Sequence, residues 1–346
     1  MAAPLVCEVD AVTGALKESP DLCAQALQAF RALIASTQAS KPFRLVREDD
    51  TFLLAFLRAR KYELPRALVV LQTFCAFWEG NAVMLEGLSI SDIRGTYELG
   101  MVSCLDTKDI HGNTVQTLDM GKMDYSKFTP AEMARMAFLI GLMIFDDPDL
   151  QTHGVTYVET LAGFSMVKAM TTVKKQSDPQ HAKLQQLGMD TMPIRIRSLL
   201  VVHQPAWFSW FWALIKFFFK KKLRDRLVLL GTDLARLHAV VPAAGLPPAF
   251  GGTLIEAPGA FLDRLEAKVA AAGGMMGGFM LPLQVNDPTG AQRRAAAAAA
   301  GAAQPAAAAP AAAAGGGGSA GAGAEAAAGA EAPAAAEPPP SEFSIE

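Results

Sequence analysis

The stretch WFSWFWALIKFFF at 207–219 sets eight aromatic residues in thirteen positions and runs directly into KKKLRDR. Three of the chain's four tryptophans lie here, and residues 206–215 carry a single polar side chain, Ser209. A helix of that composition is apolar on every side and has to be covered by protein or lipid. Length decides between spanning and covering. Residues 206–219 number fourteen and make about 21 Å of helix, against roughly 30 Å of hydrocarbon in a bilayer. A longer span would take in Lys216, Lys220, Lys221, Lys222, Arg224 and Arg226, at a few kcal/mol each inside a membrane. The segment is therefore expected to lie in an interface or to cover a cavity, with an ordinary buried helix of an α/β domain as the alternative.

A net charge of −3 argues by itself against an anionic partner, but the charge is unevenly spread. Residues 195–226 hold eight Lys/Arg and one acid, a net +7, whereas residues 281–346 come to −4. A basic face on a mildly acidic protein is the expectation, and a solvated surface is its alternative. The 346-residue length suggests two domains as a soft prior. Residues 281–346, mostly Ala, Gly and Pro without apolar periodicity, are predicted to be a disordered tail. Cys7, Cys23, Cys75 and Cys104 show no C-x-x-C pairing and read as buried thiols of a reducing compartment. The N-terminus has no charged region followed by an apolar one, and its early acids disfavour a transit peptide, so a cytoplasmic protein peripheral on membranes is expected.

The first hundred residues are helical in pattern. Leu64, Ala67, Leu68, Leu71, Phe74, Cys75 and Trp78 fall at three- and four-residue spacing along one helix face, ending near Gly80 and Asn81. A shorter helix through Phe52, Leu53, Phe56 and Leu57 is opened by Asp49 or Asp50. After Met101 the period changes, with short strands predicted at 115–120, 154–159, 199–203 and 227–230 between helical stretches, an α/β pattern. Thr129, Pro130 and Glu132 make a capping box that starts a helix presenting Met133, Met136, Ala137 and Ile140. Further helices are expected from Phe164 to about Lys175 and from Pro179 to Leu187.

Catalytic motifs are weak. The G-x-S-x-G match at 317–321 lies in Gly/Ala low complexity, with neither the strand nor the helix that strains a nucleophile serine. The glycines at 273, 274, 277 and 278 lack a preceding strand and a phosphate-loop lysine. His111, His153, His181, His203 and His238 are scattered, without metal-ligand spacing. Asp146, Asp147 and Asp149 around Pro148 read as a solvated loop. No enzyme, metal site or nucleic-acid partner is expected.

Four blocks carry a family resemblance: FLLAFLRARKYELPRA at 52–67, YVETLAGF at 157–164, MPIRIRSLLVVHQPAWF at 192–208, and IKFFFKKKLRDRLVLLG through LPPAFGG, ending at Gly252. In order and spacing, across about residues 45–255, the chain resembles the CRAL-TRIO lipid-transfer proteins, in particular the branch of the α-tocopherol transfer protein, the retinaldehyde-binding protein and the clavesins. The resemblance implies a helical N-terminal lobe at 1–100 and a lipid-binding domain at 101–255. In the latter a mixed sheet flanked by helices encloses an apolar cavity closed by a gate helix. A short extension at 256–280 and the tail at 281–346 follow.

On that resemblance the cavity is lined by Ala137, Phe138, Gly141, Val155, Tyr157, Leu187, Met192 and Ile194. The gate carries Trp207, Phe208, Trp210, Phe211, Trp212, Ile215, Phe218 and Phe219, with Phe208, Phe211 and Ile215 facing inward. The branch also holds a phosphoinositide headgroup at positions that fall here on Arg60, Arg195, Arg197, Lys222 and Arg226. At about 1 kcal/mol per cation beside an anionic leaflet, three engaged together give roughly a hundredfold in affinity.

There are departures from the family. The usual acidic D-L-E/K-G turn reads Thr160, Leu161, Ala162, Gly163, which puts polar fixing of that turn in doubt. Hydroxyl positions that help orient ligand in the branch fall on Ala137 and Gly141 and leave that wall apolar. The expected ligands are a hydrophobic lipid and, in the basic patch, a phosphoinositide, with no other cofactor. The expected partner is an anionic membrane surface, and the protein is expected to be a monomer. The alternative is a membrane-recruited scaffold that binds partners through its tail.

Overall fold

Capping residues set where the helices of the N-terminal region begin. The structure, a computed structural model, describes residues 7–81, 85, 88–176, 191–216, 221–276 and 279–280. Helix α1 (Pro20–Ser40) opens on Ser19, whose hydroxyl accepts from the Leu22 amide. In α2 (Asp50–Ala59) it is Asp49 that caps, accepting from the Phe52 amide. Helix α3 (Leu64–Gly80) has a proline in its first turn and ends on Asn81, and α4 (Ile90–Tyr97) starts with a Ser89/Asp92 capping box. Each cap satisfies an amide that the helix itself leaves without a partner. Apolar faces of α1 to α4 then bury Phe30, Phe52, Phe56, Leu71, Phe74 and Ile93 in one cluster.

The α/β part follows. Strand β1 (Val102–Lys108) pairs antiparallel with β2 (Thr114–Asp119). Helix α5 (Pro130–Leu142) begins with the Thr129/Glu132 capping box in both directions, and α6 (Pro148–His153) is capped by Asp147. Strand β3 (Val155–Thr160), helix α7 (Met166–Gln176), strand β4 (Ile196–Val202), helix α8 (Ala206–Ile215), helix α9 (Lys221–Arg224) and strand β5 (Leu227–Gly231) come next. The five-stranded sheet runs β1-β2-β3-β4-β5, with β2 to β5 parallel. Helices α10 (Leu234–His238) and α11 (Ala260–Ala271) precede a two-stranded hairpin, β6 (Met275–Met276) and β7 (Phe279–Met280).

The strands expected from periodicity are β2 to β5, shifted at their ends. The edge strand β1 was missed because VSCLDTK alternates poorly, a consequence of burying only part of one face. The helix expected up to Leu187, the G-x-S-x-G match and the tail lie outside the described residues. Residues 260–280 are more than a run-out: Phe261, Leu262, Leu265, Val269, Met276 and Phe279 join the core of the N-terminal helices. Phe279 meets Trp78 at 4.4 Å and lies within 6.3 Å of Phe52 and Phe74. Gly273 and Gly274 adopt φ of 65° and 86° in the turn before β6, a conformation that favours glycine. Of the cysteines, Cys7, Cys75 and Cys104 are buried, Cys23 is half-buried, and all four are free thiols. No helix among the described residues is long and apolar enough to cross a membrane.

Candidate functional site: the open face of the sheet

Strand alternation gives the sheet two different faces. On one, Val115, Thr117, Thr156, Val158, Leu200 and Val202 are at most 5% exposed, sealed by Leu237, Val241, Leu246 and Phe250. On the other, Gln116, Leu118, Tyr157, Glu159, Leu199 and Leu229 all keep part of their surface, although β3 is the middle strand of the sheet. Desolvation pushes the Tyr157 hydroxyl up to about 12, with Cys104 adding to it, and pushes the Glu159 carboxyl up to about 7.

Helix α8 lies over this face. Phe208 and Phe211, 8% and 5% exposed, pack with Val201, Leu161 and Phe164, while Leu199, Leu227 and Leu229 join from below. Trp207 contacts Phe164, Phe208 and Phe211 at 5.7 to 6.2 Å between ring centroids. Trp212 is half-buried, whereas Trp210 is 66% exposed. The helix is thus two-sided: phenylalanines down, Trp210 out. Ile215 closes the helix, and Phe218 and Phe219 lie outside the described residues.

The residues before this roof are tied down. His203 sits at φ 54°, an uncommon conformation for a side chain with a Cβ. Its amide donates to the Gly231 carbonyl (2.6 Å), the Gly231 amide donates to Gln204 Oε1 (2.9 Å), and its Nδ1 lies 3.1 Å from Thr160 Oγ1. Thr160 Oγ1 also accepts from the Ala162 amide (3.3 Å). The Thr160–Gly163 turn is therefore fixed by a polar group, the Thr160 hydroxyl. Replacing Thr160 by valine keeps the shape and removes both contacts. Proteolysis between residues 203 and 206 is expected to quicken severalfold, and an unchanged cleavage rate would show that the latch holds nothing.

The expected cavity residues separate into groups. Val155, Tyr157 and Ile194 pack at the core beneath the sheet's open face. Gly141 is buried because Met192 fills the space a side chain would need, with Met192 Cε, Cγ and Sδ 3.1 to 3.3 Å from a Cβ placed there. Phe138 packs in the N-terminal aromatic cluster, 5.0 Å from Phe77 and 5.8 Å from Trp78. Ala137 is exposed. Helix α5 buries Met136, Phe138, Leu139, Ile140 and Leu142, more than one face, so periodicity could not tell its inner side. Leu187 lies outside the described residues. A separate cavity of about 270 Å³ lies elsewhere, among Arg47, Phe145, Leu265, Val269 and Met276.

The basic residues also divide. Arg195, 7% exposed, donates to the carbonyls of Gly14 (3.0 Å) and Thr152. Arg226 donates to the Ile196 carbonyl. Arg197 is half-buried, and its Nε has no hydrogen-bond partner among the described residues. Desolvation lowers all three, and Arg197 and Arg226 together push Arg195 down further, to about 10. Mutual repulsion of this kind means the three guanidinium groups crowd one another, and none pairs with a carboxylate among the described residues. Such a cluster is relieved by an anion. Arg195 is buried and ties two backbone carbonyls together, an engagement invisible in the sequence. Arg60 closes α2, donating to the Ala59 carbonyl (3.1 Å). Lys222 lies on α9, beside Arg224.

The architecture is an α/β fold with a helix packed over one face of the sheet. The family model described as "CRAL/TRIO domain" matches residues 99–252. Clavesin-1 of Mus musculus is 30% identical over 242 residues, 69% of this chain and 66% of that protein. An α-tocopherol transfer protein-like protein of Homo sapiens is 30% identical over 240 residues, 69% of this chain and 68% of that one. The crystal structure of Sfh5 superposes with a TM-score of 0.47 at 15% identity, over 74% of this chain and 99% of the other. The chain belongs to the CRAL/TRIO family, and spans about two thirds of the length of the clavesins it matches.

Proposed function

We propose that this protein holds a hydrophobic lipid under α8 and transfers it between membranes. In this reading the roof is a gate, and the arginine cluster docks the protein on an anionic, phosphoinositide-bearing surface. The observation that carries the reading is the sheet face under α8: half-buried leucines on β4 and β5 roofed by phenylalanines. Burying lipid against such surface returns about 25 cal/mol per Å². Membership of a family whose relatives here include a protein named for tocopherol transfer supports the same reading. The mechanism is extraction, not catalysis. Trp210 anchors at the interface, the phenylalanines below let go of the sheet, and cargo takes their place. Arg197 and Arg226 face the headgroup, while Arg195 props the strand entry.

Vesicle co-sedimentation tests docking. With Arg197 and Arg226 both changed to alanine, binding to phosphoinositide-containing vesicles is expected to fall about thirtyfold, at about 1 kcal/mol per cation, and binding to neutral vesicles to stay the same. Equal loss on both vesicle types, or none, would overturn the patch. Native mass spectrometry of the purified chain tests the cavity, since a protein always empty cannot be a carrier.

A further inference from the structure

Ahead of α1 the chain makes a small hairpin, residues 8–17, that lies on the arginine cluster. Val9 and Leu16 pair antiparallel, the Lys17 amide donates to the Glu8 carbonyl (2.9 Å), and the Asp10 amide donates to the Ala15 carbonyl (2.8 Å). Asp10 fastens the tip. Its Oδ1 accepts from the Val12 amide (3.0 Å), the Thr13 amide (2.8 Å) and the Thr13 hydroxyl (3.0 Å), the turn that an aspartate side chain builds with the backbone just after it. The roots of the hairpin are buried and its tip is not: Cys7 and Leu16 are 2% and 7% exposed within the N-terminal core, whereas Val12 is 76% exposed.

Gly14 is where the hairpin meets the cluster. It sits at φ 66°, a conformation that favours glycine, and its carbonyl accepts from Arg195 Nη2 (3.0 Å). Arg197 lies so close against it that a Cβ on Gly14 would overlap Nη2, Cζ and Nη1 of the guanidinium group. The tip therefore covers the end of a side chain whose Nε has no hydrogen-bond partner among the described residues. It brings backbone there and no charge, because the Asp10 carboxylate is used by the tip itself and lies 3.8 Å from Lys17 Nζ.

A guanidinium group holds a phosphate through charge-assisted, often bidentate bonds about twice as strong as neutral ones. The glycine Cα set against Arg197 makes no such bond, so an anion gains by taking its place. Little else holds the tip down. Besides the bond from Arg195 to Gly14, the hairpin's second strand is tied to the body by the Leu16 amide, which donates to the Thr152 carbonyl at 3.4 Å, long for such a bond.

We propose that the hairpin tip, residues 10–14, is a cover over Arg197 that gives way to the anionic headgroup of a membrane lipid. This rests on the docking reading above and deepens it. Opening of the tip and binding of the headgroup are then coupled, and each favours the other by the same factor.

Hydrogen exchange of the full chain with inositol trisphosphate reads the tip directly. On binding, the amides of Thr13 and Gly14 should exchange severalfold faster while that of Cys7 at the root keeps its rate. Asp10→Ala unfastens the tip and should tighten inositol trisphosphate binding about fivefold, because a scarce competent state becomes common. Asp10→Asn removes the same charge but keeps the accepting oxygen, so its affinity should stay within about twofold of wild type. Tip exchange that slows or stays the same on binding would make the hairpin a fixed wall and overturn the cover, as would equal affinities of Asp10→Ala and Asp10→Asn. Inorganic phosphate acting as strongly as inositol trisphosphate would overturn a lipid headgroup as the occupant. If neither wild type nor Asp10→Ala binds inositol trisphosphate or phosphoinositide-containing vesicles, it is the docking reading that fails, and the cover falls with it.

Discussion

Changing Glu18 to alanine is expected to cost 3 to 5 kcal/mol of stability, the usual penalty for leaving a buried charge without its partner. Glu18 lies just ahead of α1 and receives Arg58 of α2 twice over, with Arg58 Nε donating to Oε1 and Nη2 to Oε2, both at 2.8 Å. The Tyr62 hydroxyl donates to the same carboxylate at 2.8 Å, and Arg58 Nη1 donates to Gln151 on α6 at 2.6 Å. The ion pair's side chains are only 11% and 13% exposed, so water cannot replace what is lost. The network joins three helices. Urea denaturation followed by circular dichroism would read the effect as a lowered midpoint. The double change Glu18→Ala with Arg58→Met should recover most of it, because an apolar pair leaves no charge stranded. A single variant with the wild-type midpoint would show that the network contributes nothing net.

Stability should also fall as pH rises, and Glu159 is the reason. Its carboxyl titrates near 7 in the folded chain against 4.5 for the free group, with desolvation as the cause. The folded state therefore holds the proton over a range where the unfolded chain has released it, so folding weakens as pH climbs from about 4.5 to about 7 and then levels off. At 1.36 kcal/mol per unit the total comes to about 3 kcal/mol. Glu159→Gln should match the wild type near pH 4 and exceed its stability by up to that amount at pH 8. Parallel stability curves for the two proteins across that range would mean that Glu159 keeps its solvent. The same substitution isolates titration from hydrogen bonding, since glutamine keeps the shape and the capacity to pair.

Much of the scaffold was legible because it depends on local rules. The Thr129/Pro130/Glu132 signal starts α5 as expected, and the apolar spacing from Leu64 to Trp78 is helix α3. Strands β2 to β5 were visible as short apolar or β-branched runs because they form the parallel part of the sheet, whereas β1, an antiparallel edge with mixed faces, was not. The FLRAR block shows how far a motif reaches. Arg60 was singled out from it, yet Arg58, two residues earlier, is the one buried in a network spanning 93 residues of sequence to Gln151. No pattern within α2 could disclose partners on α6 or ahead of α1.

The site divides along the same line. Composition alone established that residues 206–215 must be covered, that the covering helix is too short to cross a bilayer, and that basic residues follow it, since these depend only on apolar area, rise per residue and charge. Tertiary structure alone decided which way each element packs. Phe138 belongs to the N-terminal aromatic core, Phe208 and Phe211 pack down on the sheet, and Tyr157 and Glu159 share the sheet face on that side, because facing depends on what packs from elsewhere in the chain. It likewise made Arg195 a post and left Arg197 crowded, since a charge's role follows from its partners and its distance from water, and neither is written in the order of residues.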